Sequence, residues 1–213
     1  QFVRFLPLVK AMIEGGGGTV IFETPRALTR LFDSLAGVDE PVETGGRLPA
    51  FDCYAPLLSL PFLFGTEEAT IPAAPCLTVP SPPLVNLPAS GRKRIGLVWA
   101  GRPQHGNDRN RSMTLAALKP LLENAACDFV SLQLGPARGQ LAELGLQARI
   151  ADPGDLLTDF AATASVIESL DLVIAVDTAV AHLAGALRRP VWLLLPHVPD
   201  WRWKLVRDDT DWY

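Results

Sequence analysis

The chain has 213 residues, 48% of them hydrophobic, with 19 Lys and Arg against 23 Asp and Glu for a formal net charge of −4. That length fills one large core or two modest ones, and the slight acidic excess excludes a generally basic nucleic-acid binder, which leans on clustered Lys and Arg. Cys53, Cys76 and Cys127 lie far apart without CxxC spacing, which argues against a disulfide framework or a zinc site, and no apolar stretch reaches the roughly 20 residues of a membrane span, so a soluble cytoplasmic protein is expected.

Phe2, Phe5, Leu6, Val9 and Ile13 recur at helical spacing and predict an amphipathic helix running from the first residues to the glycines at 15–18. Because the chain opens at Gln1 already inside this helix, further chain is expected upstream. A strand over 19–23 follows, then a helix that starts at Pro25, carries Leu28, Leu31, Phe32 and Leu35, and closes at Gly37. Short strands over 38–43 and 51–54 and a helical run over 57–64 complete the first half. From Pro72 to Pro88 the composition turns to Pro, Ser and small residues, which favour extended chain. The predicted organisation is therefore a first domain over 1–80, a Pro-rich linker over 81–93 and a second domain over 94–213.

The second half alternates regularly. Strands are predicted over 94–100, 128–134, 149–151, 172–176 and 191–195, with helices over 115–124, 138–144, 159–170 and 179–187. Strands and helices in alternation, joined by short loops, imply an α/β fold with a mostly parallel, doubly wound sheet and ligand sites at the carboxyl ends of the strands. Two Rossmann-like units facing a cleft, the first lacking its start, are the expectation.

The most informative stretch is LVIAVDTAVAHLAGAL, where an apolar strand runs through Asp177 and Thr178 into a helix carrying Ala179 and His182. Asp177 fits the N-cap, and the helix's open N–H groups and positive dipole end suit an anionic diphosphate, with Thr178 and His182 on one face. Asp177 is cast as an organiser, since a carboxylate repels phosphate. The competing reading makes it only a cap and His182 only a half-buried helix residue. The loop over 101–112 concentrates His105, Asn107, Asp108, Arg109, Asn110, Arg111 and Ser112. Arginine forks suit phosphate oxygens and His105 can donate a hydrogen bond; the alternative is a solvated loop with an Asp108–Arg salt bridge. Gln133 at a strand end is placed for a base or ribose, or is a plain strand-end polar residue. Asp200, Trp201 and Trp203 in the tail are candidates for sugar or acceptor contacts, against the commoner role of tryptophan in packing. The fingerprints GxGxxG after a strand, GxxxxGK[ST] and GxSxG are absent.

Taken together, WAGRPQHGNDRNRSMTLAAL, FVSLQLGP, LDLVIAVDTAVAHLAGALRRPVWLLLP and PDWRW resemble the glycosyltransferase region found behind tetratricopeptide repeats in bacterial proteins. That region is similar to heptosyltransferase-type (family nine) enzymes and distantly to O-linked N-acetylglucosamine transferases. The resemblance implies a GT-B architecture and an inverting, metal-independent transfer from a nucleoside-diphosphate sugar to an acceptor hydroxyl on a glycan, a lipid-linked glycan or a protein. It implies no cofactor and no metal, and tetratricopeptide repeats in the same full-length chain. Thr178, Ala179 and His182 map to the donor diphosphate turn, the segment from His105 to Arg111 to its other side, and Gln133 to the nucleoside. The family's acidic general base would precede Gln1, which leaves the catalytic base of this chain unassigned and a noncatalytic sugar- or protein-binding module with a GT-B shell as the alternative.

Overall fold

A computed structural model describes residues 1–15, 18–33, 35–72, 77–79, 81–89, 91–205 and 207–212. Cys76 and two of the glycines expected to close the first helix, Gly16 and Gly17, lie outside these residues. The chain forms two compact units, Gln1–Thr78 with Arg202–Tyr213, and Val79–Trp201.

In the first unit a 3-10 turn, Phe2–Phe5, leads into helix α1, Leu6–Glu14. Strand β1, Ile21–Thr24, helix α2, Arg26–Phe32, and strand β2, Glu40–Glu43, make one crossover whose strands pair in parallel, Ile21 opposite Glu40 and Thr24 opposite Glu43. Pro25 stands at the N-cap of α2, where its missing N–H costs nothing. Gly37 takes φ +84 and passes so close to α1 that a Cβ would lie 2.5 Å from the carbonyl carbon of Leu6, so both conformation and space require glycine there. A 3-10 turn, Leu57–Ser59, and helix α3, Leu60–Leu63, complete the unit over a core of Phe5, Leu6, Leu31, Phe32 and Leu60.

The strand expected over 51–54 does not form. Its residues are exposed, with Tyr54 at 82%, and Phe51 meets Tyr54 edge-on at 6.4 Å instead of facing a neighbouring strand. β-Propensity alone does not make a strand where no partner supplies ladder bonds.

The C-terminal residues from Arg202 onward pack with this first unit. Arg4 donates to the carbonyl oxygens of Gln1 at 3.0 Å, Pro72 at 2.8 Å and Trp212, and its guanidinium lies 5.4 Å from the Trp212 ring, which also meets Phe2 at 5.3 Å. An ionic cluster adds to this strap. Glu68 pairs with Lys204 and, at 2.9 Å, with Arg207, while Asp211 accepts from Lys204 and Arg207 at 2.9 Å each.

In the second unit, strand β3, Lys93–Val98, opens a sheet continued by helix α4, Asp108–Arg111, helix α5, Lys119–Leu122, strand β4, Cys127–Ser131, helix α6, Gln140–Glu143, and strand β5, Ile150–Ala151. Helix α7, Phe160–Glu168, strand β6, Leu172–Val176, helix α8, Ala179–Ala186, and strand β7, Val191–Leu194, follow. All five strands pair in parallel in the order β5-β4-β3-β6-β7. The two expected helices at 115–124 and 138–144 appear as 3-10 turns running into the short helices α5 and α6, each with a proline at the start of one of its two segments. Asp159 caps α7 by accepting from the Ala162 N–H at 2.8 Å.

Both faces of this sheet are covered, which explains strands that read as apolar without alternation. Ile95, Leu97, Trp99, Phe129, Ile150 and Ile174 bury one face against Leu115, Leu118, Leu122 and Leu141. The other face carries the buried Val98, Val130, Val173 and Ala175, with α8 packed on β6 and β7 and α7 packed on α8. Gly96 lies between them, where a Cβ would meet Leu170 Cδ1 at 2.5 Å.

The strap carries a pH dependence. Hydrogen bonds from Lys204, and then from Arg207, hold the Asp211 carboxyl down to about 2, and Arg207 lowers Asp209 as well. A depressed carboxyl stabilises the fold above its unfolded value of about 4 and loses that contribution as pH falls through about 2. Amide exchange at Thr210 and Trp212, corrected for intrinsic rates, is expected to rise as pH drops from 4 to 2 and also in 1 M salt at neutral pH. Rates that ignore both changes would show that the exposed ion pairs do not hold the strap.

Candidate functional site

Parallel pairing brings every carboxyl strand end to one edge of the sheet. Val98 lies opposite Ala175 in the β3–β6 ladder, so the residues leaving β3 and the residues leaving β6 emerge side by side. The chain winds from β3 to β4 on one flank and returns to place β6 on the other. The loops after β3 and β6 therefore leave the sheet where its winding reverses, the position at which doubly wound sheets take ligands.

The loop after β3 is held by a chain of side-chain bonds. The Gly101 N–H donates to Ser112 Oγ at 2.9 Å, Ser112 Oγ donates to Asp108 Oδ1 at 2.8 Å, and Arg111 Nε stands 3.4 Å from the same oxygen. Arg111 Nη1 then donates to the Asp177 carbonyl at 3.0 Å. Asp108, Arg111 and Ser112 reach this arrangement because the segment expected as a loop contains α4, a single helical turn. The Asp108–Arg bridge considered there does form, with both side chains more than four-fifths buried instead of solvated.

The turn after β6 differs by one residue from the expectation. Thr178, not Asp177, is the N-cap of α8, with φ −141 and ψ 167 and no capping bond from its side chain. Asp177 instead turns its carboxylate toward His182, with Oδ1 3.7 Å from Nε2. Ala181 and His182 donate to the Thr178 carbonyl at 3.1 and 3.4 Å, while Ala179 and Val180 occupy the opening turn, where a helix offers its N–H groups no internal acceptor. Thr178 Oγ1 is buried and has no hydrogen-bond partner among the described residues. An unsatisfied buried hydroxyl costs about 1–3 kcal/mol.

Gln133 has a different task from the nucleoside contact implied by the resemblance. Its Oε1 accepts from the N–H groups of Trp99 at 3.0 Å and Ala100 at 2.9 Å, and its Nε2 donates to the carbonyls of Ala100 at 3.0 Å and Leu134 at 2.8 Å. All four positions of the amide are taken by backbone, and the side chain is buried, so it clamps the ends of β3 and β4 together.

The remaining candidates divide. His105, Asn107 and Arg109 are exposed on the loop; His105 Nδ1 accepts from the Asn107 N–H at 3.2 Å, and Asn107 Oδ1 accepts from Asn110 at 2.7 Å. Asp200 and Trp201 end the second unit, the indole 66% exposed, whereas Trp203 belongs to the first unit and is only 7% exposed, which closes its ring faces to a sugar. Among the described residues no group of three or more His, Cys, Asp or Glu is arranged to hold a metal ion, and no described helix is long and apolar enough to cross a membrane. Gly101 is not among the candidate residues that the sequence marks; its signal is Asp-x-x-Arg-Ser closing a loop that opens on Gly.

Residues 156–203, the segment from the approach to α7 through β7 that contains Asp177, Thr178 and His182, match the model of glycosyltransferase family 9 (heptosyltransferase). Protein FlbA of Caulobacter vibrioides is 28% identical over 105 residues, 47% of this chain but 18% of FlbA, so the chain spans under a fifth of that relative. Escherichia coli ADP-heptose LPS heptosyltransferase II aligns over 90% of this chain and 80% of its own at 15% identity, with a TM-score of 0.57. A second solved structure, E. coli heptosyltransferase WaaC with ADP-2-deoxy-2-fluoro heptose, aligns over 55% and 36% at 20% identity and 0.42. The chain thus contains a segment that matches the family 9 model, on an α/β fold with parallel sheets similar to that of E. coli heptosyltransferase II.

Replacing Gln133 by Ala orphans two N–H groups and two carbonyls at the sheet edge. Unfolding by urea is expected to lose about 2–4 kcal/mol; a loss below about 0.5 kcal/mol would mean that water replaces the clamp without cost.

Proposed function

We propose that this chain is the donor-binding part of an inverting, metal-independent glycosyltransferase that moves a sugar from a nucleoside diphosphate to an acceptor hydroxyl. The observation that carries the reading is the mouth of α8, where an unsatisfied Thr178 hydroxyl and the opening-turn N–H groups stand at the switch-point crevice within the segment matching family 9. A diphosphate placed there meets the positive end of the helix dipole and hydrogen-bond donors whose orientation is already set.

In the reaction the acceptor oxygen bonds to the anomeric carbon as the bond from that carbon to the phosphate oxygen breaks, so negative charge grows on the departing diphosphate. Groups that bind the departing anion more tightly than the intact donor speed this step. Ala179 and Val180 N–H, Thr178 Oγ1 and His182 act on one side of the crevice; Arg109 and His105 act from the loop over 101–112. These fixed dipoles and cations serve in place of a divalent ion. The proton of the acceptor hydroxyl goes to a base that none of these residues provides.

UDP, GDP, ADP and their sugars, each tested with and without EDTA, are expected to include one that raises the melting temperature equally in both conditions. A ligand at a hundred times its Kd adds about 2.7 kcal/mol to the folded state. Combined replacement of Thr178 and His182 by Ala is expected to weaken that ligand by about tenfold or more. Unchanged calorimetric affinity in the double variant would remove the helix mouth from consideration, and a bound donor that is never hydrolysed or transferred would favour the binding module.

A further inference from the structure

Arg111 was expected to meet phosphate, yet its guanidinium is already engaged on two sides. Nε faces Asp108 Oδ1 and Nη1 donates to the Asp177 carbonyl, and the side chain is only 15% exposed. Asp108 is in turn fixed by Ser112, and Ser112 by the Gly101 N–H. Four residues therefore form a continuous brace from the exit of β3 to the residue that precedes the N-cap of α8. The space for it is built in: a Cβ on Gly101 would collide with Arg111 Nη2 and lie 2.7 Å from Asp108 Oδ1.

We infer that Arg111 is a positioning residue for the donor turn. Seated in a socket formed by Gly101, Asp108 and Ser112, it holds the Asp177 carbonyl and thereby sets where Thr178, Ala179 and Val180 present their donors. The cation that meets the diphosphate from this loop is Arg109, which is exposed two positions earlier in α4. The inference rests on the donor reading above for its functional consequence, but the brace itself is a property of the ligand-free chain. A planar fork is needed because one group must satisfy a carboxylate and a carbonyl in different directions; a lysine ammonium reaches one or the other. This makes the Arg-to-Lys exchange decisive, since Lys preserves the charge and loses the fork.

The test uses the whole chain in two arms. Amide exchange without ligand is followed by mass spectrometry in peptides covering 177–183 and, as an internal reference, β4, for the wild type, Arg111→Lys, Gly101→Ala and Arg109→Ala. Arg111→Lys and Gly101→Ala are expected to speed exchange over 177–183 by about tenfold while β4 keeps its wild-type rate, and Arg109→Ala to leave both segments unchanged. Calorimetry with UDP, GDP and ADP is expected to show that Arg111→Lys and Gly101→Ala each weaken the nucleotide by about tenfold, although Gly101→Ala removes no charge. Arg111→Lys with wild-type exchange and wild-type affinity would overturn the inference and return Arg111 to the role of a simple cation. If the wild type binds none of the three nucleotides, the donor reading fails by itself, and the exchange arm still decides whether the brace holds the turn. Gly101→Ala keeps that decision available should Arg111→Lys fold poorly.

Discussion

The hydrogen bond from Arg111 to the Asp177 carbonyl closes a gap that the sheet topology opens. In a parallel sheet all strand ends meet at one edge, and the segments that follow β3 and β6 leave that edge where the winding reverses. Nothing in the strand ladder constrains those two segments relative to each other beyond the last paired residues, Val98 and Ala175. A single long, forked side chain crossing the divide turns two independent loops into one edge. Everything ascribed to the mouth of α8 depends on that edge keeping its shape.

The same region shows how buried polarity is distributed. Gln133 is satisfied at every position and acts like a short piece of backbone, joining β4 to the exit of β3 where regular pairing stops. Thr178 is its opposite, a buried hydroxyl left without a partner among the described residues at the start of a helix. The first adds rigidity, and the second holds in reserve a favourable interaction that folding leaves unmade. A sheet edge that is rigid where it is fully bonded and unsatisfied at a helix mouth suits the proposed diphosphate, which brings acceptors.

Much of the second unit was legible because its strands are buried on both faces and its helices are short and punctuated. The apolar run Leu172–Val176 followed by Asp-Thr and an Ala-rich segment could only be a strand entering a helix, and the structure places both within a residue of the expected bounds. The run at 51–54 misled for the opposite reason: Phe, Cys and Tyr favour strands, but a strand exists only with a neighbour, and none lies alongside. Asp commonly caps, yet the extended backbone of Thr178 takes the cap position, and the Asp177 carboxylate turns toward His182.

From its residues alone, the protein's class, the order of elements in its second unit and the polar loops at the carboxyl edge of that sheet were determined, since periodicity, turn residues and cap preferences act over a few positions along the chain. Tertiary structure alone decided what each polar side chain touches. Gln133 became a clamp, Arg111 a brace and Trp203 a core residue because their partners come from strands, turns and termini distant in sequence, and the direction of a long side chain is set by the surface it packs against.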